Sequence, residues 1–230
     1  MKVKTLPDYL RPGLDIVSIG LNPSLPSVRE GFYFANPRNR FWAALNASGL
    51  VPEMLEPGIA AMDILFENYA RGLTDLVQRP TAGCAALRAA DYREWAPLLR
   101  DRLVAYPPRI AWFHGKLAYA NYLKYAMEIK PAIDWGEQPL HIGESRVFVT
   151  PNPSTANAAW SLDDLSGWYR RLAGLPDALR SGAVPRVWPI LGHMRIQCDN
   201  GGSGHGHCNE SIRLPGRSSD RLRCAYPPPL

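Results

Sequence analysis

The sequence predicts an α/β fold in three layers, α/β/α, around a central and mainly parallel sheet. Three observations lead there. Residues 15–20 (DIVSIG), 109–113 (RIAWF) and 146–150 (RVFVT) are apolar runs of strand length. Each is followed by a loop and then by a stretch with helical periodicity, and strands alternating with helices imply a parallel sheet covered on both faces. At 230 residues the chain has room for one domain of this kind with a sizeable core, but not for two large ones.

The elements follow in order. After the run at 15–20 comes a Pro-containing loop and a helical stretch, 39–48 (NRFWAALNAS). A helix is expected near 60–69, then a turn and loop through 72–83 (GLTDLVQRPTAG), then a longer helix from about 91 to 106. Pro97 fits that helix only if it falls in the early turns, where its missing N–H is not needed. The run at 109–113 leads through Gly115 into a helix over 116–127, and the run at 146–150 leads through loop 151–160 into a helix over 162–175. Ser161 with Asp164 three residues on has the spacing of a capping box for that last helix. Past residue 180 the pattern fails. A basic segment rich in Gly, Pro, Arg and Ser ends in three prolines, so a domain over 1–180 and a flexible tail over 181–230 are expected.

Composition narrows the function classes. Apolar residues make up 46 % and charged residues 20 %, the balance of a globular protein. No apolar run approaches a membrane span. The first eleven residues lack an apolar h-region with a cleavage site, so a cytoplasmic protein with no membrane partner is expected. A net charge of +5 favours a polyanionic partner without naming one. Cys84 stands apart from Cys198, Cys208 and Cys224, which argues against a disulfide framework. Cys198, His205, His207 and Cys208 match no closed zinc pattern, so no metal is expected. A Gly-rich cofactor loop is missing and so is a phosphate loop around Lys116, which points to no cofactor. Ser154 lacks the G-x-S-x-G context of a serine hydrolase.

Ligands on such sheets bind outside the carboxyl ends of the strands, so chemistry is sought after Gly20 and Thr150. The first loop reads Gly20-Leu21-Asn22-Pro23-Ser24, with GFYFANPRNRFW over 31–42 close behind; the second reads Pro151-Asn152-Pro153-Ser154. With GLTDLVQRPT over 72–81, the chain resembles the mismatch-specific uracil-DNA glycosylases, the bacterial branch of the superfamily that also holds thymine-DNA glycosylase. The family pattern is G-(I/L)-N-P-G, G-F-x-F-A-x-P-x-N-R-F-W, G-(V/L)-T-x-L-V-x-R-P-T and N-P-S. All four blocks have counterparts here, in order and at matching spacing, over residues 6–175. The resemblance implies the glycosylase-like three-layer fold. It also implies a monofunctional DNA glycosylase of base-excision repair, a monomer acting on double-stranded DNA that contains uracil or a mismatched or damaged pyrimidine, and associated with the nucleoid through that DNA.

The resemblance also distributes roles. Asn22 would hold the attacking water, and Gly20, Leu21, Pro23, Ser27, Phe34 and Asn152 would line the base pocket, with Phe34 stacking on the extruded base and Ser27 beside the pyrimidine 5-position. Pro153, Ser154, Thr155, Ala156, Asn157 and Ala158 would form the loop that enters the minor groove and fills the gap. The chemistry agrees with the first of these roles. Hydrolysing a nucleoside requires a placed water and stabilisation of a departing base anion, and a carboxamide can place water but is no strong base. A supporting carboxylate is therefore of interest, with Asp75 and Asp91 the candidates and Asp91 preferred. Where the bacterial family has Gly-Leu-Ser-Arg after the serine, this chain has Thr155-Ala156-Asn157-Ala158. So little side chain predicts weak hold on the abasic product, with Asn157 or Trp160 as possible substitutes. It also keeps open the alternative of a lesion-binding module with weak or no excision. Arg38, Arg40, Lys116 and Lys124 are candidate phosphate contacts.

Overall fold

A computed structural model describes residues 4–175. Five strands form one sheet: β1 (Ile16–Gly20), β2 (Arg71–Asp75), β3 (Ile110–His114), β4 (Gly136–Ile142) and β5 (Ser145–Thr150), in the order β2-β1-β3-β5-β4. All neighbours pair in parallel except β4, which runs antiparallel to β5. Among the described residues six α-helices complete the fold: α1 (Leu25–Glu30), α2 (Phe41–Asn46), α3 (Ile59–Tyr69), α4 (Ala89–Ala105), α5 (Lys116–Ala126) and α6 (Leu162–Ala173). The expected tail over 181–230, with three of the four cysteines, lies outside the described residues.

Alternation along the strands separates two cores, as the pleat requires. Ile16, Ile110, Trp112 and Phe148 face α2, α3 and α6, where Phe41, Met62, Leu65 and Tyr169 meet them. Val17, Ile19, Ala111, Phe113 and Val149 face α4 and α5, against Leu99, Leu103, Tyr119 and Tyr122. This is the three-layer fold that the sequence predicts. The chain leaves β1 for the α1–α3 face and the outer strand β2, then crosses to β3, whose following helix covers the opposite face. The switch point between β1 and β3 thus lies at the carboxyl edge, beside Asn22.

Four elements differ from expectation. Residues 71–75 are a strand rather than a turn, although Arg71, Thr74 and Asp75 are polar, because all five are buried between β1 and the segment around Tyr9. The segment GEQPLHI forms edge strand β4, whose Pro139 stands where an edge tolerates a missing N–H. Helix α4 starts at Ala89, earlier than expected, so Pro97 sits in its interior rather than in an early turn. The short helix α1 was not anticipated either; Ser24 caps it by accepting from Ser27 N at 3.2 Å.

Candidate active site

The loops after β1, β2 and β5 emerge on one edge of the sheet because these strands run in parallel. Past Asp75 the chain continues beside the β1 loop as a strap. Leu76 N donates to Gly20 O (2.9 Å), Val77 N to Leu21 O (3.0 Å) and Thr81 N to Pro23 O (3.2 Å). Any side chain at Gly20 would force the buried Asp75 to shift, since a Cβ would stand 2.1 Å from Asp75 Oδ1. Pro23 and Leu21 are buried, and Asn22 between them is half-buried.

The strap sets the orientation of Asn22. Its Nδ2 donates to Thr81 Oγ1 (2.7 Å), Arg79 O (3.1 Å) and Pro23 O (3.2 Å). Thr81 spends its own proton on Gly83 O at 2.9 Å, so its oxygen must accept from the amide. With the nitrogen committed, none of the hydrogen bonds that Asn22 makes among the described residues uses the carboxamide oxygen. An acceptor fixed in this way can hold a water by one proton and leave a lone pair free to attack.

Phe34 adopts φ = 58°, a left-handed conformation that costs a non-glycine residue roughly 1–3 kcal/mol unless its surroundings enforce it. The enforcement is visible. Ala35 N donates to Ser27 Oγ (3.2 Å), Tyr33 N to Met62 Sδ (3.2 Å), and Trp42 Nε1 to Tyr33 O (3.1 Å). One face of the Phe34 ring stacks on Phe41, with centroids 4.0 Å apart and planes 17° from parallel. The ring itself is half-buried. Ser27 is buried, with its hydroxyl shared between Ala35 N and Ser24 Oγ (2.9 Å), so it braces the segment that carries Phe34.

Behind Phe34 stands His114, the last residue of β3. Its ring meets Phe34 edge-on at 5.3 Å and Phe41 at 5.5 Å, and Nε2 pairs with Ser18 Oγ at 2.6 Å. Burial lowers its pKa to about 3, so the imidazole is neutral at physiological pH. Its carbonyl accepts from Asn152 Nδ2 at 3.4 Å, which links the β3 edge to the second loop. Gly115 makes the approach possible: at φ = +99° a side chain would be strained and its Cβ only 3.3 Å from Asn152 Cβ.

Loop 151–160 is held by one residue that was expected to contact phosphate. Arg40 donates from Nε to Pro153 O (3.3 Å), from Nη2 to Ser154 O (2.9 Å) and Asn157 O (3.0 Å), and from Nη1 to Trp160 O. Its backbone N–H adds a bond to Pro153 O (3.2 Å). Arg40 is therefore the clamp of the loop. Asn152 Oδ1 accepts from Ser154 N (2.8 Å), and Asn157 Nδ2 donates to Asn152 O (3.1 Å), which commits both asparagines to the loop. Thr155, Ala156 and Ala158 are exposed. Trp160 packs against Trp135 and Trp168. Lys116 lies over Trp135 and Lys124 over Tyr125, while Arg38 is exposed.

A profile of the Uracil DNA glycosylase superfamily matches residues 7–173. The chain belongs to that superfamily. With membership comes the DNA glycosylase class of function, a hydrolase whose partner is DNA. A solution NMR structure of a candidate uracil DNA glycosylase from Methanosarcina acetivorans is similar at 23 % identity and a TM-score of 0.47, over 74 % of this chain and 97 % of that one.

In this superfamily member Asn22 and the expected pocket residues gather at one sheet edge: Gly20, Leu21 and Pro23 on the first loop, Ser27 and Phe34 just after it, and Asn152 on the second, where the expected groove loop begins at Pro153. Asp91 lies one step further out. Its Oδ1 accepts from Arg79 Nε (2.6 Å), and its Oδ2 from Arg79 Nη2 (2.7 Å) and Arg88 N (2.7 Å). The arginine holds its carboxyl below the usual range. Asp75 is the converse case. Burial and the nearby Asp8 push its carboxyl well above the usual range, against the pull of Arg102. Sequence reading missed Thr81 as a partner of Asn22, and it missed the role of Arg40. The R-P-T end of the third block carried the first signal, while nothing in the sequence marked the second.

Proposed function

We propose that the protein removes uracil, and other mismatched or damaged pyrimidines, from double-stranded DNA by flipping the nucleotide and hydrolysing its N-glycosidic bond with a water held by Asn22. The observation that carries this reading is the carboxamide itself: three acceptors take its nitrogen, and the free oxygen stands at the switch point of a parallel sheet. The half-buried ring of Phe34 offers a platform for the extruded base, and backbone amides near it can stabilise the leaving anion. Gly20, Leu21, Pro23 and Ser27 shape that pocket, while residues 153–158 enter the groove. Asn22 positions water without acting as a strong base, so turnover rests on placement. No cofactor takes part, and the protein acts as a monomer on cytoplasmic DNA.

A second reading, a lesion-binding module with weak excision, is favoured by the exposed and short side chains of Thr155, Ala156 and Ala158. One assay separates the two. Labelled duplexes with G·U, A·U, G·T or ethenocytosine pairs, and single-stranded uracil, are treated with protein and then with alkali. Strand breakage that disappears in Asn22→Ala supports the glycosylase, whereas retention of the duplex in a gel shift without breakage supports the binding module.

A further inference from the structure

We propose that Asp91 is a positioning residue, acting on Asn22 through the strap that runs beside the β1 loop. The inference rests on the reading of Asn22 given above and names a device that supports it. The strap is bonded to the loop at Leu76, Val77 and Thr81, with no rung between Val77 and Thr81. Within that gap lie Gln78, Arg79 and Pro80, and there Arg79 O turns to meet Asn22 Nδ2. The carbonyl is only as fixed as its residue.

Next to Gln78, whose carbonyl accepts from Thr5 Oγ1 at 2.7 Å, Arg79 is held through its own side chain. The guanidinium forks onto both oxygens of Asp91 and adds a bond to Ala86 O at 2.8 Å. Forked, charge-assisted pairs restrict geometry more than single bonds do. Asp91 is itself anchored: its Oδ2 accepts from Arg88 N (2.7 Å) at the start of α4, a 17-residue helix whose Tyr92, Ala96, Leu99 and Leu103 are buried against the sheet. An open cleft of about 500 Å³ runs beside this pair, lined by Arg79, Ala85, Ala86, Arg88, Ala90 and Asp91. On that side the strap borders solvent, and the Arg79–Asp91 pair ties it to α4. Rigidity thus passes from helix to ion pair to carbonyl to carboxamide. Asp91 serves the reaction without touching the reacting atoms.

The role of α4 as a capped helix must be separated from this one, and Asp91→Asn does so. Asparagine can still accept from Arg88 N, but it offers no second carboxylate oxygen to the fork. Single-turnover excision from a uracil-containing duplex is measured beside affinity for a duplex with a tetrahydrofuran abasic analogue, and beside Tm. Asp91→Asn and Arg79→Ala are each expected to slow excision about tenfold with affinity and Tm nearly unchanged, and the double variant to be no slower than either. An unchanged rate in Asp91→Asn, a multiplicative double variant, or a rate that falls together with Tm overturns the proposal. If instead the wild type breaks no strand, or Asn22→Ala matches it, the reading of Asn22 fails rather than the clamp.

Discussion

The loop after β1 and the loop after β5 leave the same sheet edge, yet they are held in different ways. The first lies along a ladder of backbone bonds to the strap, with the Asn22 nitrogen locked into it. The second is gathered by one guanidinium that collects four of its carbonyls, beside the bonds that Asn152 and Asn157 make within it. The rungs of a backbone ladder survive when one side chain changes, whereas the bonds of a clamp made by one side chain are lost with it. The difference teaches where precision is kept: the orientation of Asn22 is set by backbone and side-chain bonds from the strap together, and loop 151–160 takes its largest set of bonds from one side chain.

The largest expected effect tests the first loop. Asn22→Ala should lower single-turnover excision by about 100-fold or more while leaving affinity for an abasic-analogue duplex close to wild type, since it removes placement and not binding. Retained excision would show that the ladder guards something else. Next comes the clamp. Arg40→Lys keeps the charge but cannot reach four carbonyls, so affinity for the abasic-analogue duplex should fall about tenfold, measured by fluorescence anisotropy. A loss confined to the salt-dependent part of binding would return Arg40 to the phosphate contacts.

A smaller effect is expected from filling the short loop. Ala156→Leu supplies a wedge where the chain has a methyl group, and product affinity should rise about threefold with slower product release. No change would mean that residue 156 does not meet the duplex.

The smallest concerns the bedrock between the loops. His114 is held at a pKa of about 3, below its unfolded value of 6.5. The unfolded chain therefore binds the extra proton first, and the stability lost by leaving His114 uncharged appears as pH falls from about 6.5 towards 3. Between pH 7 and pH 5 the wild type should lose about 5 °C of Tm more than His114→Gln does. Parallel Tm curves would remove His114 as the acid-sensitive group.

Legibility in the sequence followed the kind of force at work. Strands β1, β3 and β5 could be read because burial on both faces leaves apolar runs. Strand β2 could not, because its polar residues are buried by a partner distant in sequence: Asp8 accepts from Thr74 Oγ1 (2.5 Å) and from Gln78 Nε2 (2.7 Å). Strand β4 is half exposed and carries a proline, so its pattern resembles a loop. At the site, Asn22 and Phe34 were marked by motif, while the bonds that orient Asn22 come from a segment nearly sixty residues away. Arg40 was misread because a cation among Asn and Pro looks solvent-facing until the carbonyls around it are in place.

The antiparallel bridge from Tyr9 to Leu73 closes both ways, with Tyr9 N on Leu73 O at 2.8 Å and Leu73 N on Tyr9 O at 3.2 Å. It caps the outer margin of β2. Trimming the chain past Tyr9 would bare a row of unpaired peptide groups, and such a margin is a template for another copy. Shortened versions should then give up solubility through strand-to-strand polymerisation before they give up chemistry.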